Sequence, residues 1–271
     1  MPTLYLVATP IGNLEDITLR ALRVLREVSF IAAEDTRTTR KLLSHYGIRA
    51  RLTSYHEHNK GAKIPYILAA LRDADVALVS EAGMPGVSDP GYDLVAAAAE
   101  AGVLVVVVPG PSAVVAALAV SGLPTRQFTY VGFLPRRRGE RRRLLSALAA
   151  QTQTVVALES PYRLLATLSD LLAVLGDRRI AICRELTKLH EEVFRGRISE
   201  AIAHFREPRG EFTLVLAGAP QPPEAVVPTD TVLAELRQLR QQGLAPRQAV
   251  AQVAQQLGLP RRQVYRLWLQ L

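Results

Sequence analysis

Short apolar runs, each ending in a glycine- or proline-rich loop, recur along most of this chain and set its first structural expectation. Leu4-Tyr5-Leu6-Val7-Ala8 stops at Thr9-Pro10-Ile11-Gly12-Asn13, the pattern of a buried strand entering a tight loop. The period then changes from two to that of a helix. Ile17, Ala21, Val24 and Val28 recur at helical spacing opposite Arg20, Arg23 and Glu27, with Asp16 placed to cap the helix. A strand over Val28–Ala33 follows, then Val76–Val79, the glycine-rich stretch Ala82–Gly91, an alanine-rich helix over Leu94–Ala101 and a strand over Val103–Val108. Strand, loop and helix in alternation predict an α/β sheet.

The rhythm pauses at Ser121-Gly122-Leu123-Pro124 and resumes with strands at Tyr130–Leu134, Thr154–Leu158, Ile180–Cys183 and Phe212–Leu216, which predicts a second α/β domain. The stretch Ala217–Pro228, rich in proline, reads as a linker. Beyond it, Leu233, Leu236 and Leu239 mark a helix that stops at Gly243. Pro246 opens another carrying Val250, Val253 and Leu257, and Pro260 permits a third with Val264, Leu267 and Trp268. Short helices with glycine turns resemble a helix-turn-helix, a nucleic-acid contact, and equally suit a cap or dimerisation element. The expected divisions are 1–118, 119–222 and 223–271, the last holding linker and helices.

Composition narrows the class. With 49% hydrophobic and 21% charged residues, the chain has the make-up of an ordinary globular protein. Its apolar runs are far shorter than the roughly 20 residues a membrane helix needs. Met1-Pro2-Thr3-Leu4 lacks the basic segment and apolar stretch of a secretory signal, and a lone cysteine, Cys183, forms no internal disulfide, so a cytoplasmic location is expected. Five histidines without ligand spacing predict no metal. A net charge of +8 favours a polyanionic partner, although excess arginine alone would also give it.

Neither G-x-G-x-x-G after a strand nor a P-loop is present, which removes the commonest dinucleotide and triphosphate sites. Instead, loops at Ala8–Asn13, Ser80–Gly91 and Pro109–Ala113 each follow an apolar strand, where open α/β sheets hold their ligands. Glycine allows close backbone approach to a flat ligand and proline limits the entropy lost on binding, as suits an uncharged nucleoside.

These segments carry a resemblance. Leu4 to Asp16, Ala33-Glu34-Asp35-Thr36-Arg37, the Gly83–Gly91 loop, Pro109-Gly110-Pro111 and Arg184-Glu185-Leu186-Thr187-Lys188 are similar, in order and along essentially the whole chain, to the ribosomal RNA small subunit methyltransferase I family. The resemblance implies the two-domain, non-Rossmann tetrapyrrole-methylase fold (class III methyltransferase) with a small helical helix-turn-helix-like module at the C-terminal end. It implies S-adenosylmethionine as methyl donor, a homodimer, and 2′-O-methylation of a cytidine ribose in the decoding region of 16S ribosomal RNA, within the small ribosomal subunit. Rival readings are a small-molecule methyltransferase of the same fold and a helix-turn-helix regulator with a ligand-sensing α/β part.

Carried over position by position, the resemblance places the cofactor against Pro10, Gly83, Met84, Pro85, Val87, Ser112 and Ala113. The second domain would add Leu158 or Glu159, and Leu186 with Thr187. Met84 departs from the family, which has a small hydroxyl residue there, and puts one cofactor hydrogen bond in doubt. For the proton that a ribose hydroxyl must lose, the candidate acceptors are Asp35, Glu81 and Asp89, although Asp35 could equally cap a helix and Asp89 form a turn before Pro90. Arg37 and the run Arg136, Arg137, Arg138, Arg141, Arg142 and Arg143 could clamp RNA phosphates or simply form a solvated face. Tyr162-Arg163 and Arg184-Glu185 would line the cleft or pair between domains.

Overall fold

A computed structural model describes residues 2–220 and 229–271. In chain order, β1 (Thr3–Val7) leads through a single turn of 3-10 helix, Leu14–Asp16, into α1 (Leu19–Glu27). Then follow β2 (Phe30–Ala33), α2 (Thr36–His45), β3 (Leu52–Ser54), α3 (Lys60–Ala70), β4 (Val76–Val79), α4 (Tyr92–Glu100) and β5 (Leu104–Val108). These strands form one parallel sheet in the order β3-β2-β4-β1-β5. Both faces are covered, which is why the strands read as continuous apolar runs rather than alternating ones. Ile31, Ala33, Ala77 and Val79 face a core shared with Leu22, Leu25 and Leu42, while Phe30, Ala32, Val76 and Leu78 face another with Tyr55, Ile67 and Leu94.

The chain continues with α5 (Ala113–Val120), β6 (Phe128–Phe133), α6 (Arg138–Leu148), β7 (Thr154–Glu159), α7 (Leu164–Leu175), β8 (Arg179–Arg184), β9 (Glu192–Arg197), α8 (Ile198–His204) and β10 (Phe212–Leu216). The second sheet runs β6-β7-β10-β8-β9; β6 and β7 are parallel, and the other pairings are antiparallel. One face packs a large core with Leu145, Leu164, Leu168 and Ile198. The other meets Ala117 and Leu118 of α5, together with Ile11 from the loop after β1. Residues Met1–Ala219 therefore form one compact unit, in which the expected boundary after Leu118 falls inside α5, a helix that covers the second sheet.

Pro220–Leu271 is a separate unit. It holds α9 (Thr229–Gln241), α10 (Pro246–Gln256) and α11 (Arg261–Trp268) around Val232, Leu236, Val250, Val253 and Val264, with Val232 rather than Leu233 in the core and the Arg240 guanidinium 5.8 Å from the Trp268 ring centre. No helix among the described residues is long and apolar enough to cross a membrane.

Several boundaries differ from expectation for physical reasons. Thr18, not Asp16, caps α1, because its hydroxyl accepts from the Ala21 amide at 3.0 Å while Asp16 sits one turn earlier in the 3-10 segment. The helix expected from Leu94 begins at Tyr92. The linker starts late: the amide of Ala217 donates to Arg179 at 2.9 Å and that of Ala219 to Gln151 at 2.6 Å. Most of the expected linker, 221–228, lies outside the described residues. The edge strands β3 and β9 have no counterpart in the apolar pattern, the first because it spans only three residues, the second because Glu192-Val193-Phe194-Arg195-Gly196-Arg197 carries charge and glycine.

The arginine run is divided by burial. Arg141 is 4% exposed, and its guanidinium is occupied by Asp170 at 2.6 Å and by the carbonyls of Pro135 and Arg136, so it ties α6 to α7 instead of reaching a phosphate. Arg138 and Arg142 bind the same carboxylate at 3.1 and 2.8 Å. Burial alone would raise the Asp170 pKa, but Arg142, Arg141 and Arg138 outweigh it and hold the carboxyl down at about 2. Asp170→Ala should cost about 3 kcal/mol, since it strands a buried guanidinium. The ion cluster's contribution is complete at neutral pH and is lost as pH falls from about 4 towards 2, which acid unfolding of wild type against Asp170→Asn measures.

Candidate active site

The loops after β1, β4 and β5 close on one another at the carboxyl edge of the first sheet. Thr9 and Gly83 exchange backbone hydrogen bonds, Thr9 N–H to Gly83 O at 2.9 Å and Gly83 N–H to Thr9 O at 3.0 Å. Gly83 has φ of +78°, which an L side chain resists. Gly110 stands so near the first loop that a Cβ would lie 2.9 Å from that of Ala8. The first loop also meets the second sheet: the Asn13 amide donates to Thr187 Oγ1 at 3.1 Å, and a Cβ on Gly12 would come within 2.9 Å of the Leu186 carbonyl.

Between these loops and the second sheet lies a cavity of about 970 Å³. Apolar groups dominate its wall, including Ile11, Val114, Phe128, Phe133 and Leu158. Among the described residues, the charged groups on it are Glu34, Glu81, Asp89, Glu159, Glu211 and one cation, Lys188, whose Nζ is held by Glu185 at 2.9 Å and Glu211 at 3.0 Å. An acidic, largely apolar cleft attracts a cation and repels a polyphosphate. Burial raises the Glu34 pKa, even though its Oε2 accepts the Glu81 amide at 3.2 Å. Burial, with Glu34 and Glu81 nearby, pushes Asp89 up to about 6.

The cleft also collects the strained backbone. Among the described residues, Ser88, Glu185 and Thr187 are the non-glycine positions with positive φ, at 65°, 50° and 67°. Each is on a loop that borders the cavity, and such strain costs roughly 1–3 kcal/mol, kept where the surroundings enforce it for a purpose. Ser88 Oγ is tied to the Tyr130 hydroxyl at 2.5 Å, and the Thr187 amide donates to Glu191 at 2.6 Å.

Residues 3–202 match the family of tetrapyrrole (corrin/porphyrin) methylases, and residues 226–271 match the RsmI C-terminal HTH domain. Ribosomal RNA small subunit methyltransferase I of Synechocystis sp. is 48% identical over 275 residues, covering 100% of this chain and 99% of its own length. That of Thermotoga maritima is 53% identical over 221 residues, covering 80% of this chain and 99% of itself. The chain belongs to the ribosomal RNA small subunit methyltransferase I family. Its two-sheet unit has the tetrapyrrole-methylase fold: uroporphyrin-III-C-methyltransferase from Thermus thermophilus aligns with a TM-score of 0.57 at 24% identity, over 79% of this chain and 94% of that one. It is a methyltransferase, as the colinear motifs implied.

Of the positions assigned to the cofactor by family resemblance, Pro10, Gly83, Met84, Val87, Ser112, Ala113, Leu158, Glu159 and Leu186 line the cavity. Pro85 and Thr187 do not; Pro85 is buried beneath its loop, and Thr187 spends its amide and hydroxyl on Glu191 and Asn13. Ser112 is the N-cap residue of α5 but makes no side-chain capping hydrogen bond, which leaves its hydroxyl free of that helix. The Glu159 carboxylate is saturated by Thr167, Ser160 and Arg163 at 2.6, 2.8 and 2.6 Å.

The family's acidic run divides differently from expectation. Asp35 turns away to cap α2, accepting from the amides of Arg37 and Thr38 and from the Arg37 guanidinium, and the Arg37 hydrogen bonds hold its pKa below the usual range. Neither Asp35 nor Arg37 lines the cavity, whereas Glu34, one residue earlier, does. Of this acidic head, which follows β2 and so was expected at the cleft rim, Glu34 rather than Asp35 faces the cleft. Arg136 and Arg137 are exposed and stand outside the cavity wall, as does Arg138. Tyr162 is 97% exposed, Arg163 is held by Glu159, and Arg184 pairs with Glu192 at 3.2 Å within the second sheet.

The raised Asp89 carboxyl has a stability signature. Its folded pKa lies above its unfolded value, so the chain loses stability as pH rises through about 6. Asp89→Asn should therefore melt higher than wild type at about pH 8, and the difference should vanish below about pH 4.

Proposed function

We propose that this chain transfers a methyl group from S-adenosylmethionine to the 2′-hydroxyl of a cytidine ribose in the decoding region of 16S ribosomal RNA, acting on the small ribosomal subunit in the cytoplasm as a homodimer. The observation that carries this reading is the cleft: apolar walls for a nucleoside, glycine and proline loops for close approach, and carboxylates in place of phosphate-binding cations. A sulfonium nucleoside carries the positive charge that such a wall favours. The relatives' name supplies the ribosomal RNA, and the net charge of +8 suits a polyanionic substrate.

The residues present fit that donor. Pro10, Gly83, Met84 and Val87 would hold it from one side, Ser112 and Ala113 from another, and Leu158, Glu159 and Leu186 from the second sheet. Gly83 acts through its turn, because Thr9 already occupies its amide and carbonyl. When bound, S-adenosylmethionine supplies an electrophilic methyl group. The protein's own task is then to orient a hydroxyl, exclude water and receive a proton, and orientation alone can lower a barrier by several kcal/mol.

For the proton, Asp89 is the best placed of the expected acceptors. It lines the cavity, and a carboxyl near 6 is a stronger base than one at the ordinary value. Glu81 lies on the same wall, and Glu34 joins it as a neighbour whose charge keeps Asp89 basic. Asp35 serves as the cap of α2. The exposed apolar residues Leu104 and Val107 on the edge strand β5 offer the surface for a second copy of the chain.

Labelled S-adenosylmethionine incubated with small ribosomal subunits lacking the modification should leave label on one ribose oxygen; unlabelled RNA would overturn the assignment. The rate should rise with pH through about 6 and then level, and Asp89→Asn should lower kcat by about a hundredfold and abolish that rise. Gly83→Asp should abolish binding of the methyl donor in a calorimeter.

A further inference from the structure

On the outer side of α2, Arg37, Arg40, Lys41 and Ser44 are all exposed and fall three or four residues apart, so they form one stripe along the helix. The stripe begins beside the cleft, since Thr38, the residue after Arg37, lines the cavity. It ends at a second concavity, of about 520 Å³, to which α2 contributes Arg40 and Ser44 and the following loop contributes Arg49 and Arg51, over a floor that includes Leu43 and Ile48. From Thr38 to Ser44 the helix advances about 9 Å, at roughly 1.5 Å per residue.

Among the described residues no carboxylate lines this concavity, and Arg40, Arg49 and Arg51 have neither an ion pair nor a side-chain hydrogen bond. In the arginine run around α6, by contrast, Arg137 pairs with Glu140, and Arg138, Arg141 and Arg142 share Asp170, which leaves Arg136 and Arg143 exposed without gathering them around a hollow. Three unpaired guanidiniums around one hollow repel one another until an anion enters, and the planar fork of each matches phosphate oxygens.

We propose that the pocket formed by Arg40, Arg49 and Arg51 holds a backbone phosphate of the RNA strand whose target nucleotide occupies the cleft. This rests on the reading of RNA as substrate. A strand leaving the cleft along the stripe passes Arg37 and Lys41 and delivers a phosphate to the pocket. Phosphate contacts carry no base identity, so this pocket sets the register of the strand while the cleft selects the nucleotide. Continuity with the cleft is what selects a substrate strand over an unrelated anion.

The test compares wild type with the triple variant R40Q/R49Q/R51Q, all exposed positions, and with R40K/R49K/R51K. Anisotropy of fluorescein-labelled oligouridine across a salt series should show the glutamine variant binding more weakly, with the slope of log affinity against log salt shallower by about 0.7 for each phosphate that is no longer neutralised. With small ribosomal subunits, its KM should rise about tenfold, as expected when one strong charge-assisted bond is removed, while kcat at saturation and affinity for S-adenosylmethionine stay unchanged. The lysine variant should recover the salt slope but only part of the affinity, because charge returns without the fork. If wild type methylates no small-subunit RNA yet the glutamine variant still binds oligouridine more weakly, the pocket stands and the substrate reading falls. Equal oligouridine affinity and salt slope in wild type and glutamine variant overturn the pocket, whatever the methylation result.

Discussion

Two backbone hydrogen bonds between Thr9 and Gly83 fix the distance between the loops after β1 and β4, and the rest of the cleft is arranged around that pair. They force Gly83 to positive φ, and they bring the first loop close enough to the second sheet for Asn13 to reach Thr187 and for Gly12 to press on Leu186. Ile11, between them, buries itself with Val156, Cys183 and Val215 of the second sheet. One short loop thus belongs to both sheets. Strain at Ser88, Glu185 and Thr187 is the accompanying cost, imposed where the loops are too short to relax.

Charge is segregated across this frame. The chain is basic in total, yet its cavity wall is acidic, with Lys188 already neutralised by Glu185 and Glu211. Basic groups lie outside, on α2 and the loop behind it and on the exposed part of α6. In the proposed reaction, an acidic interior favours a cationic donor and a basic exterior holds the polyanion that receives its methyl group. Burial and the neighbouring Glu34 and Glu81 raise the Asp89 pKa to about 6, so its negative charge at neutral pH is held at a cost in stability that a bound cation would offset.

Much of this was legible in the residues. Buried parallel strands such as Val76–Val79 announce themselves as apolar runs, and proline and glycine punctuate the loops that follow. Side-chain allegiance was harder to read. Glu34 and Asp35 are adjacent and chemically alike, but a strand end and a helix start send them in different directions. Arg141 falls on the buried side of α6, where Asp170, distant in sequence, waits for it, whereas Arg137 stands just before the helix and stays exposed. The short edge strand β3 and the charged β9 gave no hydrophobic signal, and the allegiance of α5 to the second sheet is a tertiary fact with no local mark. The family motifs supplied the reaction; the structure supplied which acid faces the cleft.

Loops from both sheets closing on a single ligand is the claim on which everything else rests. Hydrogen exchange on the full chain, with and without S-adenosylmethionine, addresses it directly, because the bridging amides are those of Thr9, Gly83 and Asn13. These amides should slow together on adding the ligand, along with those around Leu186. Slowing confined to one sheet, or exchange unchanged at Thr9 and Gly83, would contradict the claim.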